Sequence, residues 1–187
     1  MYNSFRRIRL QDNQGFTLLE VLFVVFLIGV IAAIAAPQWL SFLEARRLTA
    51  VRDKIYIGIR KAQTEAQAKG VSWQFSVREN SDTIEWATHP RNTVPQMASW
   101  MPIEDSHLVQ LDAETTFDKT SEGIRYIVFD KDGNTELRYL GRATFSTKNT
   151  PTIKRCVIAS TVIGALRKSQ EQPVPDPDYR TKDRFCY

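Results

Sequence analysis

From Phe16 to Ala36 the chain reads FTLLEVLFVVFLIGVIAAIAA, and only Thr17 and Glu20 in it are polar. An α-helix rises 1.5 Å per residue, so a run of this length crosses ~30 Å of hydrocarbon. The pattern predicts a spanning helix. Beyond Pro37 the apolar positions Leu40, Leu43, Leu48, Val51, Ile55, Ile59, Ala62 and Ala66 recur at three- to five-residue intervals. That spacing puts one apolar stripe on a helix ending at Lys69, with Gly70 suited to its carboxyl cap. Short stretches rich in β-branched and aromatic residues follow, and they predict strands at Trp73–Val77, Thr83–Ala87, Ile124–Phe129, Thr135–Leu140, Ala143–Ser146, Lys154–Ala159 and Val162–Arg167. Asp132-Gly133 reads as a tight hairpin turn, which favours antiparallel pairing. Residues 88–122, with Pro90, Pro95 and Pro102, read as a long loop with a short strand near Leu108–Leu111. The expected class is α+β, a long amino-terminal helix laid on antiparallel sheet.

At 187 residues the chain has room for one membrane helix and one modest globular domain. Its segments are a basic stretch (1–15), a spanning segment (16–37), an amphipathic helix (38–69) and a β-rich domain (70–187). The formal charge of +4 is half explained by Arg6, Arg7 and Arg9 against Asp12, directly ahead of the apolar run. Such a tail orients the amino terminus to the cytoplasm and the domain outward. With so little excess charge left in the body, the pI near 9.1 does not point to a general nucleic-acid binder.

Glu20 breaks the pattern, because a carboxylate in hydrocarbon costs several kcal/mol unless paired, neutralised or close to the interface. Cleavage between Gly15 and Phe16 would create a new α-amino group one helical turn away. Gly15-Phe16-Thr17-Leu18-Leu19-Glu20, after a short basic leader and before an unbroken apolar run, resembles the class III signal of type IV pilins and type II secretion pseudopilins. The resemblance implies that a prepilin peptidase cuts after Gly15 and methylates the new amino terminus of Phe16. It also implies that Glu20 pairs with a neighbouring subunit's amino terminus during assembly. The rival readings are a plain signal anchor, a secretory signal peptide cut after Ala33-Ile34-Ala35, and twin-arginine export through Arg6-Arg7. Gly29 and Pro37 interrupt the long helix, and by similarity to pilins the segment between them is expected to unwind in filaments; the alternative is a bend at the membrane surface.

Cys156 and Cys186 are the only cysteines and have no metal-ligand spacing. In an oxidising compartment a bridge would close a loop of about 30 residues and add ~3 to 4 kcal/mol; the alternative is a pair of free thiols. Arg155-Cys156-Val157-Ile158-Ala159-Ser160, followed by Gly164-Ala165-Leu166-Arg167, resembles the end of GspH/FimT-type minor pilins. DNA-binding members of that group carry a Gly-Arg-x-Arg pattern. Here Ala165 replaces the first arginine, which leaves Arg167 and Lys168 as candidate DNA contacts, with Lys154, Arg155, Arg180, Lys182 and Arg184 nearby.

The remaining sites read plainly. The run from Asp130 to Glu136 is better suited to a turn than to calcium, because its glycine comes two positions early for an EF-hand. The tail aspartates Asp176, Asp178 and Asp183 are a weaker calcium alternative. His89 and His107 have no metal spacing or nucleophile motif, and no phosphate-binding glycine loop occurs. Trp73, Trp86 and Trp100 read as packing residues, and Trp39 as a membrane-interface residue. No catalytic residue, cofactor or metal is expected. The reading is a non-enzymatic minor pilin or pseudopilin that primes or caps a type IV pilus or secretion pseudopilus. Its expected partners are other pilins, the prepilin peptidase, the inner-membrane assembly platform and the inner membrane itself; the alternative is a DNA-binding minor pilin for DNA uptake.

Overall fold

The computed structural model describes residues 15–176 and 184–187. They form two units that meet in sequence between Ser41 and Phe42. Helix α1, Leu18–Lys69, begins in the first and ends in the second.

In the first unit Thr17 caps the helix, its Oγ1 accepting the Glu20 backbone N–H at 3.2 Å. Thr17-x-x-Glu20 is the spacing of a capping box, so the same two residues that interrupt the apolar pattern also start the helix. From Gly15 through Ser41 every residue is exposed. The helix is long and apolar enough here to cross a membrane. In the isolated chain α1 is continuous through Gly29 and Pro37, and Ser41 Oγ donates to the Pro37 carbonyl at 3.2 Å.

In the second unit one stripe of α1 is buried: Leu48, Val51, Ile55, Ile59, Ala62 and Ala66. Leu40 is exposed and Leu43 half-buried, so the covered stripe starts later than the periodicity predicts. Gly58 lies on the same face, where a Cβ would stand 2.7 Å from both the Phe75 and Trp86 rings. Its lack of a side chain lets the helix approach the sheet. The helix ends at Gly70, whose φ of +65° and N–H bond to the Ala66 carbonyl at 2.9 Å make the left-handed cap.

Nine strands follow among the described residues: β1 Trp73–Asn80, β2 Thr83–Pro90, β3 Met101–Pro102, β4 Val109–Leu111, β5 Asp118–Lys119, β6 Arg125–Phe129, β7 Gly141–Thr147, β8 Lys154–Ala159 and β9 Leu166–Gln170. They make two sheets, ordered β3-β2-β1-β6-β5 and β4-β7-β8-β9. Every pairing is antiparallel. Phe75, Val77 and Ile127 of the first sheet and Ala143, Phe145 and Val157 of the second meet the α1 stripe in one core. The fold is α+β, a long helix on antiparallel sheet.

Three strand expectations are corrected. Thr135–Leu140 is not a strand: the Thr135 N–H reaches the Val162 carbonyl at 2.7 Å, its hydroxyl donates to the Val128 carbonyl, and Leu137–Tyr139 is a 3-10 turn. Asp132-Gly133 is a turn, with Gly133 at φ +79°, but it joins no hairpin because β6 pairs with β1 and β5 instead. The last strand begins at Leu166 rather than Val162, since Thr161–Gly164 turns back on itself through the Gly164 N–H to the Thr161 carbonyl.

Two glutamines of α1 hold those turns. Gln63 Nε2 donates to the Gly133 carbonyl at 2.8 Å and the Ile163 carbonyl at 3.4 Å, and Gln67 Nε2 donates to the Asp132 carbonyl. Gly164, at φ +73°, has Gln63 Nε2 2.3 Å from where a Cβ would stand. The glycine noted in the carboxyl-terminal motif is therefore required both by its backbone and by the amide packed on it.

Candidate functional site

The amino-terminal motif has a simple geometry. Gly15 and Phe16 precede the helix, both exposed, and Glu20 stands in its first turn. A carboxylate there is favoured by the helix dipole. Its side chain has no ion-pair partner among the described residues, and exposed apolar side chains surround it: Phe16, Leu19, Val21, Phe23 and Val24. Helices that are apolar on all sides are buried in other helices or in lipid.

A second constellation, unread in the sequence, lies on the outer face of the β4-β7-β8-β9 sheet. Cys156 and Cys186 form a disulfide, and both are fully buried. The backbone of Cys186 is held on both sides by charged groups. The Glu114 carboxylate, 8% exposed, accepts the Phe185 and Cys186 N–H groups at 3.1 Å. The Arg142 guanidinium donates to the Cys186 carbonyl and approaches Asp176 at 3.8 Å. Lys154 Nζ completes the cluster at 2.6 Å from Glu114 and 3.1 Å from Asp112.

The titration of these groups follows from their surroundings. Burial works against the Lys154 charge, but the hydrogen bonds it donates to Glu114 and Asp112 outweigh it and hold its pKa above the ordinary lysine value. Burial, then the charge of Arg184, depresses the Arg142 pKa. Both remain cations at neutral pH. The Asp112–Glu114 segment, Arg142 and Lys154 come from three separate parts of the chain, so only the folded sheet brings them together.

The candidate DNA contacts do not share a face. Arg167 pairs in register with Ile158 and Lys168 with Val157, so the two side chains project to opposite sides of β9. Lys168 turns to α1, 3.4 Å from Asp53 and 5.1 Å above the Tyr56 ring. Lys154 is engaged as above, and Arg155 binds Glu171 and, at 3.4 Å, Thr49. Arg180, Lys182, Asp178 and Asp183 lie outside the described residues, as do residues 1–14 of the leader.

His89 is a buried structural histidine. Nδ1 donates to the Pro90 carbonyl at 3.0 Å, which leaves Nε2 to accept from Ser76 Oγ at 3.1 Å, and Gln74 Nε2 donates to the same hydroxyl at 2.9 Å. Asp130 Oδ1 accepts the Asp132 and Asn134 N–H groups at 2.9 Å, the arrangement of an Asx turn. Among the described residues no three His, Cys, Asp or Glu side chains group as metal ligands. Trp73 is buried, whereas Trp86 and Trp100 are half-buried; the Arg78 guanidinium lies 4.0 Å above the Trp100 ring.

An apolar helix begun by Thr-x-x-Glu, carrying a carboxylate in its first turn and continuing into an α+β domain, defines a class. The chain is a type IV pilin-like protein. Residues 10–36 match the family model described as "Prokaryotic N-terminal methylation motif". Over 149 residues the chain is 24% identical to a "Fimbrial protein" of Pseudomonas aeruginosa, a span that covers 80% of this chain and 79% of that protein. No solved structure matches it.

Proposed function

We propose that the chain is a minor pilin or pseudopilin that primes or caps a type IV pilus or type II secretion pseudopilus. The observation that carries the reading is Glu20, a carboxylate amid exposed apolar side chains and without a partner among the described residues. Cleavage after Gly15 and methylation of Phe16 by a prepilin peptidase would leave a cationic amino terminus. When a neighbouring subunit offers that group to Glu20, one stagger of the helices pairs the charges and others leave the acid desolvated alone. Packing of the apolar faces then supplies most of the contact. Before assembly the chain is anchored in the inner membrane with its domain on the periplasmic side, beside the assembly platform.

The test is incorporation. Glu20→Ala should abolish entry of this chain into filaments, read by immunoblot of sheared surface filaments or by secreted substrate, while membrane levels stay normal. Normal filament entry by Glu20→Ala would refute the pairing.

A further inference from the structure

The apolar run of α1 does not stop at Ala36. Trp39, Leu40, Phe42 and Leu43 extend it, so the polar residues from Phe16 to Leu43 are Thr17, Glu20, Gln38 and Ser41, apart from Pro37 and the glycine at position 29. Its helical part, Leu18 to Leu43, rises roughly 39 Å at 1.5 Å per residue, close to the thickness of a bilayer with its headgroups. Arg46 and Arg47 come three and four residues later. In a membrane-anchored chain they emerge near the phosphates of the outer leaflet.

Those arginines line a groove of about 620 Å³ within the second unit. Its α1 wall carries Arg46, Arg47 and Lys54, with the small Ala50 between them. Its other lining residues include the apolar Trp86, Met101 and Pro102 and the acidic Glu104 and Asp105. None of these five charged side chains has an ion-pair or hydrogen-bond partner among the described residues. Arg52, on the same helical stretch but outside the groove, is paired with Asp53 at 3.0 Å. The groove therefore gathers unpaired cations on its α1 wall and unpaired carboxylates among its other lining residues.

We propose that this groove binds the headgroup of an aminophospholipid, with the phosphate against Arg46, Arg47 and Lys54 and the ammonium against Glu104 and Asp105. The acyl chains leave past Leu43. Arginine's planar fork suits the phosphate oxygens, and a primary ammonium has the donors the carboxylates lack. A nucleic acid or a purely anionic lipid would use the basic wall but leave Glu104 and Asp105 opposed to its charge. A bound headgroup would hold the domain close to the membrane until the chain leaves for a filament. The inference rests on the membrane-anchored reading above.

The test is native mass spectrometry of the full-length chain in detergent micelles, titrated with phosphatidylethanolamine, phosphatidylcholine or phosphatidylglycerol. Phosphatidylethanolamine should bind most tightly. A cation near a lipid phosphate contributes about fivefold, so Arg46→Gln with Arg47→Gln should weaken its binding by about 25-fold. Glu104→Gln with Asp105→Asn should abolish the preference over phosphatidylcholine, whose binding falls less because its quaternary ammonium has charge but no N–H donor for the carboxylates. All four side chains are wholly or partly exposed, and unchanged near-ultraviolet circular dichroism would confirm that the variants are folded.

Equal binding of the three lipids by every variant would overturn the proposal, as would a preference for phosphatidylglycerol. Cross-links from Arg46 or Arg47 to another subunit, combined with lipid binding that ignores the variants, would assign the groove to protein instead. A chain that does not insert into phosphatidylcholine vesicles would bring down the anchoring reading and this inference together. A chain that inserts normally but shows no dependence on the variants would bring down the inference alone.

Discussion

Two stretches of one helix obey different rules. From Leu18 to Ser41 no side chain of α1 is covered, although nearly all are apolar. From Leu48 to Ala66 one apolar stripe is buried, with Lys54, Ile57, Lys61 and Thr64 left to solvent. A helix with one apolar stripe is satisfied by its own domain, whereas a helix apolar all round requires surroundings that the described residues do not supply. Lipid first and neighbouring subunits later are those surroundings in the proposed function. The second stretch thus stabilises the domain, and the first is left for those surroundings.

The largest stability loss should come from the second unit's buried charges. Glu114→Ala leaves the Lys154 ammonium without its nearest carboxylate and two tail N–H groups without an acceptor, and should cost about 3–5 kcal/mol in urea unfolding of the micelle-held chain. Glu114→Gln, which keeps an acceptor, should cost less. An equal loss in both would show that shape rather than charge holds the tail. Next comes the staple: Cys156→Ser with Cys186→Ser removes a crosslink of 30-residue separation and should cost ~3 to 4 kcal/mol. Retention of the full midpoint would mean that the charged groups alone fix the tail.

A smaller effect divides the two stretches most cleanly. Ile59→Val in the buried stripe should lower stability by ~0.5 to 1.5 kcal/mol, and Ile28→Val in the exposed stretch should leave domain unfolding unchanged. Similar losses at both positions would erase the distinction. The smallest effect is a pH dependence of the second unit. Lys154 has a raised pKa in the folded chain, so its stabilising charge is fully present below the unfolded lysine value near ~10.4 and is lost as pH rises through the folded value. Tyr139, raised chiefly by burial, has the same sign, because ionisation above pH ~10 favours the unfolded chain. The thermal midpoint should stay level from pH 7 to 9 and fall above about 10; a midpoint that rises there would contradict both assignments.

What the sequence showed was local. Periodicity placed α1 and its cap at Gly70, and β-branched runs placed β1, β2 and β8, because each signal lies within one element. Thr135–Leu140 misled because Leu137 and Tyr139 alternate with polar residues like a strand, yet Leu137 is 75% exposed and Thr135 is bonded to another loop. The two-residue strands β3 and β5 are too short to leave a pattern. The clamp on Cys186 was hidden for a different reason. Asp112 and Glu114 precede β5, Arg142 lies on β7 and Lys154 on β8, and their cooperation exists only once the sheet has formed. By contrast, the Gly15-to-Glu20 motif was legible because its chemistry is written in six consecutive residues.

The central claim is that processing gives Glu20 its positive partner. Mass spectrometry of the chain extracted from membranes and filaments measures this directly. The account predicts a mature chain that begins with N-methylated Phe16, whereas a chain that retains its leader or begins at any other residue would contradict it.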